Sequence, residues 1–95
     1  MAEKIKLTPR DIADAMSALP EWSCDGERLA RTFVFPDFMS AIAFIQRLAP
    51  HAEAMDHHPE LFNVYNRVRV ELTTHDANGL TDADFALASV INALA

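Results

Sequence analysis

Residues Ala52–Leu80 read AEAMDHHPELFNVYNRVRVELTTHDANGL, and the way this run folds constrains the rest of the chain. Its second half alternates. Val68, Val70 and Leu72 fall on one side of an extended chain and Arg67, Arg69 and Glu71 on the other, the period of a half-buried strand. LFNVY, just before, is a second strand candidate, and Asn66 stands between the two where a short turn tolerates a left-handed residue. The pair therefore reads as an antiparallel hairpin bent at Asn66, in which residues whose numbers sum to roughly 132 lie opposite one another. Position 57 then faces position 75.

That register brings His57 and His58 into the open end of the hairpin and His75 out of the same end, so three of the four histidines meet at one rim. Neighbouring residues of a strand point to opposite faces, so His57 and His58 share a pocket only where the backbone is irregular. Pro59 is the expected source of that irregularity, since it restricts His58 and lacks a donor. Glu53 and Asp56 lie close by in sequence, and either carboxylate can accept an imidazole N–H, fixing a tautomer and raising basicity. Taken singly, each feature has a plainer explanation: a proline after a helix is punctuation, and a histidine at a strand end usually decorates a surface. Three together, with acids beside them, point to proton transfer. His51 is expected to face solvent.

Working outward, Thr8, Pro9 and Asp11 form a helix start, and Ile12, Met16 and Leu19 recur at helical spacing until Pro20. Asp25-Gly26 supplies a tight turn between two strand-like runs, the second carrying Leu29, Phe33 and Phe35 on one face with Arg31 as an interruption. Asp37 caps a longer helix in which Phe38, Ile42, Ile45 and Ala49 keep helical spacing, and Ala41, Phe44 and Leu48 widen the apolar stripe. Pro50 is expected to kink or divide that helix, which should end before HHP. Thr81, Asp82 and Asp84 open a last helix with Leu87, Ala88, Ile91 and Leu94 on one side. The order is αββαββα. The fold class is α+β: a four-stranded antiparallel sheet with helices packed on one face, in a single domain over residues 1–95.

Composition narrows the function. Eight basic against fourteen acidic residues give a net charge of −6, the wrong sign for gripping a phosphate backbone, so direct nucleic-acid binding is not expected. A single cysteine, Cys24, allows neither an internal disulfide nor a cysteine-based zinc site and reads as a buried small hydrophobe, in keeping with a reducing compartment. MAEKIKLTPRD has no apolar run, and no segment approaches the ~18 apolar residues of a spanning helix, so a soluble cytoplasmic protein with no membrane partner is expected. The two glycines, 26 and 79, cannot build a phosphate loop or dinucleotide fingerprint. Three histidines can hold zinc, but adjacent HH is poor chelate spacing, and no metal is expected. Ser23 and Cys24 lie on the first hairpin, away from the rim, so nucleophilic catalysis is not expected either.

The chain from about Trp22 onward resembles the pterin-4a-carbinolamine dehydratases, small enzymes also described as dimerisation cofactors of a homeodomain transcription factor. The resemblance is most specific in residues 52–91, with A-E-x-x-D-H-H-P-E, then F-N-V-Y-N, L-x-T-H, G-L-T and D-x-x-L-A. It implies an αββαββα protomer whose sheets join across a homodimer, with dimers in some members pairing into a homotetramer. It also implies dehydration of 4a-hydroxytetrahydrobiopterin to quinonoid dihydropterin and water. That reaction recycles the cofactor of aromatic amino acid hydroxylases, which are functional partners; the pterin is the substrate, and neither metal nor cofactor takes part. By the same resemblance His57, His58 and His75 are the catalytic residues. Asp56, Thr73, Thr74 and Asp76 join them in binding substrate, with Glu53, Pro59 and Asp84 supporting from behind. Within that set, His58 and His75 are expected to move protons and His57 to orient the pterin. Leu61 stands where many relatives carry tryptophan, and Ala83 where they often carry arginine. A hydroxyl must leave as water while the adjacent ring nitrogen loses a proton, and an unperturbed imidazole, with pKa about 6.5, can serve as acid or base near neutrality. The alternative is a non-catalytic protein-interaction or dimerisation module on the same fold.

Overall fold

Two hairpins place their second strands side by side. The computed structural model describes residues 4–95; Met1–Glu3, part of the stretch read for a leader, lie outside the described residues. Along the chain come α1 (Pro9–Met16), β1 (Ser23–Cys24), β2 (Leu29–Val34), α2 (Phe38–Ala54), β3 (Glu60–Val64), β4 (Arg67–Leu72), a single 3-10 turn (His75–Ala77) and α3 (Asp82–Leu94). The strands form one antiparallel sheet in the order β1-β2-β4-β3, the α+β architecture expected. No helix among the described residues is long and apolar enough to cross a membrane.

The alternation in β4 sets the layers. Val68, Val70 and Leu72 are fully buried and face the helices, and β2 sets Phe33 opposite Val68 and Leu29 opposite Leu72. Against them pack Ala41, Phe44 and Leu48 of α2 and Leu87, Ala88 and Ile91 of α3. Phe44 sits at the centre, 4.9 Å from the Phe33 ring and 5.0 Å from the Phe35 ring. Burying each such large side chain contributes roughly 1.5–3 kcal/mol, which lets so short a chain hold a sheet and three helices. Arg31 stays on the helix face of β2 because its charge is met there. Its guanidinium lies 4.3 Å from the Phe33 ring centroid and donates to Asn92 Oδ1 at 2.7 Å, an oxygen that also accepts from the buried Trp22 indole.

The β3–β4 register pairs Glu60 with Glu71, within a residue of the one expected for a turn at Asn66. Four local expectations are corrected. The left-handed residue of that turn is Tyr65 (φ 49°), because Asn66 is spent tying the hairpin tip to Phe35: its amide donates to the Phe35 carbonyl at 2.9 Å. Pro50 does not divide α2, which runs unbroken from Phe38 to Ala54. The carbonyl that loses its partner belongs to exposed Gln46, where water can take it, while Leu48 and Ala52 on either side of Pro50 are anchored in the core. The buried line of α2 is Ala41, Phe44, Leu48 and Ala52, whereas Phe38 and Ala49 are exposed. Cys24 is half-buried, and its sulfur accepts the Gly26 N–H.

Helix starts follow the caps. Thr8 and Asp11 close a reciprocal capping box on α1, and Asp37 accepts the Ser40 N–H at 2.7 Å at the start of α2. That backbone hydrogen bond, helped by the Ser40 side chain, holds the Asp37 carboxyl below its ordinary range. A carboxyl depressed in the folded state stabilises the protein above its unfolded pKa and loses that contribution as pH falls through the folded one. Asp37→Ala is therefore expected to lower the thermal midpoint at neutral pH, with the gap to the parent closing as the solution is acidified through the aspartate range. A pH series of thermal melts measures it.

Candidate functional site

The end of α2 aims the first two histidines. Met55 closes the helix, Asp56 takes the left-handed conformation (φ 48°), and the N–H groups of Asp56 and His57 bond back to the carbonyls of Glu53 and Ala52. These are the two bonds of a Schellman ending, with aspartate in the place glycine usually fills. The irregular backbone at Asp56 lies just ahead of both histidines. Asp tolerates the left-handed region better than most residues, and that tolerance was the signal in the sequence. Asp56→Gly is expected to leave stability equal or slightly raised, and Asp56→Val to cost about 1–2 kcal/mol, since a β-branched side chain fits poorly at positive φ. Chemical denaturation of the two variants reads the difference.

From this ending His57 turns inward and His58 outward. His57 is buried, and its Nε2 lies 2.5 Å from Oδ1 of Asp84, a carboxylate with no exposed surface in the first turn of α3. The other oxygen of Asp84 accepts the Thr81 N–H and the Thr74 hydroxyl, each at 2.9 Å. Thr74 spends its one proton on Asp84, so Thr81 is the donor in the 2.8 Å contact between the two hydroxyls. An ionised Asp84 only accepts, which assigns the N–H of His57 to Nε2. Nδ1 then accepts from the Lys4 ammonium 3.2 Å away. Both ring nitrogens of His57 are engaged, and among the described residues no buried side-chain polar atom lacks a partner.

His58 is more than half exposed and bonds Glu53 through Nε2 at 2.7 Å. His75 opens the 3-10 turn that follows β4 and is exposed; the backbone bond from Thr74 N–H to Gly79 carbonyl, at 2.9 Å, closes the loop behind it. A cavity of about 190 Å³ is lined by all three histidines together with Lys4, Asp56, Thr73, Thr74 and Asp76. The expected partnerships are redistributed. Glu53 meets His58, Asp84 meets His57, and the Asp56 carboxylate forms no hydrogen bond or ion pair with any of the three histidines. Pro59 is half-buried and, like Leu61 and Ala83, does not line the cavity. Lys4 was missed by the sequence reading, where only the i, i+2 placement of Lys4 and Lys6 in an extended segment hinted that both could face one side. Among the described residues no three His, Cys, Asp or Glu side chains are grouped as metal ligands.

Comparison with known proteins points one way. The family model for pterin 4 alpha carbinolamine dehydratase matches residues 5–94. A protein of Rhizorhabdus wittichii named "Putative pterin-4-alpha-carbinolamine dehydratase" is 54% identical over 91 residues, covering 94% of each chain. One of the same name from Thermosynechococcus vestitus is 50% identical, covering all of this chain and 98% of its own. Among solved structures, a transcriptional coactivator/pterin dehydratase from Brucella melitensis superimposes with a TM-score of 0.89 at 44% identity, over 95% of this chain and 98% of that one. A pterin dehydratase-like protein described as a RuBisCO assembly factor in the alpha-carboxysome gives 0.64 at 24% identity, over 77% and 84% of the two chains, and shows likeness of fold alone.

Proposed function

The chain belongs to the pterin 4 alpha carbinolamine dehydratase family, and from that premise we propose that it dehydrates 4a-hydroxytetrahydrobiopterin to the quinonoid dihydropterin and water. The observation that carries this reading is the meeting of His57, His58 and His75 on one cavity. In the reaction the bond from C4a to its hydroxyl breaks, an acid adds a proton so that water departs, and a base removes the proton of the adjacent ring nitrogen. His58 and His75, exposed on the cavity, perform the two transfers, with Glu53 orienting His58. His57, held between Lys4 and Asp84, has no free nitrogen and serves as a fixed wall that orients the ring. Thr73, Thr74, Asp56 and Asp76 line the same space and meet the polar edge of the pterin. No metal or further cofactor is required by this chemistry, and an aromatic amino acid hydroxylase would supply the carbinolamine.

The test generates the carbinolamine with a pterin-dependent hydroxylase and follows its decay optically with and without the protein. Acceleration supports the dehydratase; decay at the buffer rate discards it and leaves an interaction module on this fold.

Self-association belongs to the same proposal. β3 is an edge strand, and Phe62 and Val64 stand exposed beside Val34 on the sheet face away from the helices, with Arg67 and Arg69 between them in the register. A long apolar edge of this kind is a template for pairing with another strand. The protein is expected to elute as a dimer or tetramer, and Phe62→Glu to shift it toward monomer, by light scattering on a sizing column. A parent chain that is monomeric at high concentration overturns it.

A further inference from the structure

Asn78-Gly79 is the one Asn-Gly pair in the chain. Such a pair is chemically labile, because glycine leaves its own backbone nitrogen uncrowded and the asparagine side chain can close on it. Here the pair sits in the loop that sets His75 in place, between the 3-10 turn and α3. Asn78 is exposed, and with Gly79 and Lys6 it lines a second cavity, of about 400 Å³, across the Thr73–His75 wall from the histidine cavity. Water therefore reaches it. We propose that Asn78 is a site of spontaneous deamidation, held unreactive by the Lys4–Leu7 segment and converted when that segment lifts. The inference stands apart from the dehydratase reading and holds whatever ligand the histidines bind.

In the reaction the Gly79 nitrogen forms a bond to Cγ of Asn78 and gives up its proton. The bond from Cγ to the side-chain nitrogen breaks, and ammonia leaves with that proton. A cyclic imide remains. Water then adds to either imide carbonyl and opens the ring, giving aspartate when the side-chain carbonyl is attacked and a β-linked aspartate when the backbone one is. Both products place a new carboxylate beside His75 and Lys6, and the β-linked one also lengthens the main chain by a methylene.

The folded loop opposes the first step at each atom involved. Asn78 is left-handed, with φ 56° and ψ 41°, and in that conformation the Gly79 nitrogen lies on the far side of the Cα–C bond from the side chain that must reach it. The Gly79 N–H is spent on the Thr74 carbonyl at 3.3 Å, and the Gly79 carbonyl accepts from the Thr74 N–H at 2.9 Å, so the glycine cannot turn without breaking both. Lys6 covers the pair from outside, with its Cε so close that a Cβ on Gly79 would stand 2.9 Å from it. That lysine is placed by the Leu7 N–H, which bonds the Leu80 carbonyl at 2.8 Å. Lys4, Ile5 and Lys6 are all exposed, and a segment with so few buried contacts is among the first to open. The longer main chain of the β-linked product no longer matches the Thr74–Gly79 pairing, so conversion displaces His75 permanently.

The experiment ages the folded protein at mildly alkaline pH and follows Asn78 by peptide mass mapping, with the same chain unfolded in urea giving the unrestrained rate. The folded parent is expected to convert at least about 10²-fold more slowly, since its rate is set by the small population in which the loop is open. Leu7→Pro, which removes the N–H that bonds Leu80, should speed conversion about tenfold, in line with the loss of one hydrogen bond. Lys6→Ala uncovers Gly79 without touching that bond. It should speed conversion several-fold at an unchanged thermal midpoint, which separates lifting of the cover from unfolding. In the converted parent the His75 imidazole signals in NMR spectra should move while those of His51 stay. A folded parent that converts as fast as the unfolded chain, a rate unmoved by Leu7→Pro or by Lys6→Ala, or no conversion even in urea overturns the proposal. His75 signals that stay in place on conversion overturn the displacement.

Discussion

A chain carrying both His58→Ala and His75→Ala is expected to speed the decay of the carbinolamine no more than buffer does. Each positioned acid or base typically contributes about 10²–10⁴-fold, and groups that act in one proton-transfer event lose their effects together rather than additively. The single variants should thus each fall by at least about 10²-fold in kcat, with little change in KM, because the transfers matter in the transition state and not in ground-state binding. The comparison is clean for a structural reason. His58 and His75 are both exposed, and among the described residues the one side-chain hydrogen bond either makes is between His58 and Glu53, itself exposed. Their removal should leave stability within about 0.5 kcal/mol, so lost activity cannot be ascribed to unfolding. His57→Ala would be a poorer probe, since it also strips Asp84 of a buried partner. A double variant that still accelerates the reaction as well as the parent removes the proposed roles.

What could be read from sequence here was whatever short-range chemistry decides. The alternation Val68, Val70, Leu72 predicted both strand and buried face, because a period of two is enforced by the backbone itself. Thr8 with Asp11, and Asp37 ahead of α2, were legible as caps because a side-chain oxygen three residues before an orphan N–H has few other uses. The convergence of the histidines followed from the hairpin, since any antiparallel pair returns to its starting end. What was not legible depended on competition or on distance. At the hairpin tip, Asn66 was the better left-handed residue by propensity, yet its amide bonds Phe35 and Tyr65 takes the strain. Pro50 is tolerated for reasons of exposure that no local rule contains. Arg31 interrupts an apolar face because Asn92, from the far end of the chain, waits for it. Lys4 and Lys6 reach the cavities through one backbone bond to Leu80, a contact across most of the chain that leaves no periodic trace.

Asp84→Ala is expected to cost about 3–5 kcal/mol, the range for removing one member of a buried, hydrogen-bonded charged network. Three donors lose their acceptor at once: His57 Nε2–H, the Thr74 hydroxyl and the Thr81 N–H, all on buried residues. Against a total stability of about 5–15 kcal/mol, this brings the domain close to unfolding, and urea titration should show a lower midpoint at unchanged slope. Asp84→Asn separates the stability role from the orienting role. Its amide oxygen can serve the two threonines, which leaves its NH₂ facing His57 Nε2–H, donor against donor. Relief requires the imidazole to shift its proton to Nδ1, where the Lys4 ammonium already donates. The clash has therefore been moved rather than removed, and Asp84→Asn should keep most of the stability lost in Asp84→Ala while weakening pterin binding through a misplaced His57. Adding Lys4→Met takes away the second donor, so the double variant should recover both stability and binding relative to Asp84→Asn alone. A double-mutant cycle with no such coupling, or an Asp84→Ala chain as stable as the parent, would show that the Lys4–His57–Asp84 line does not act as a unit.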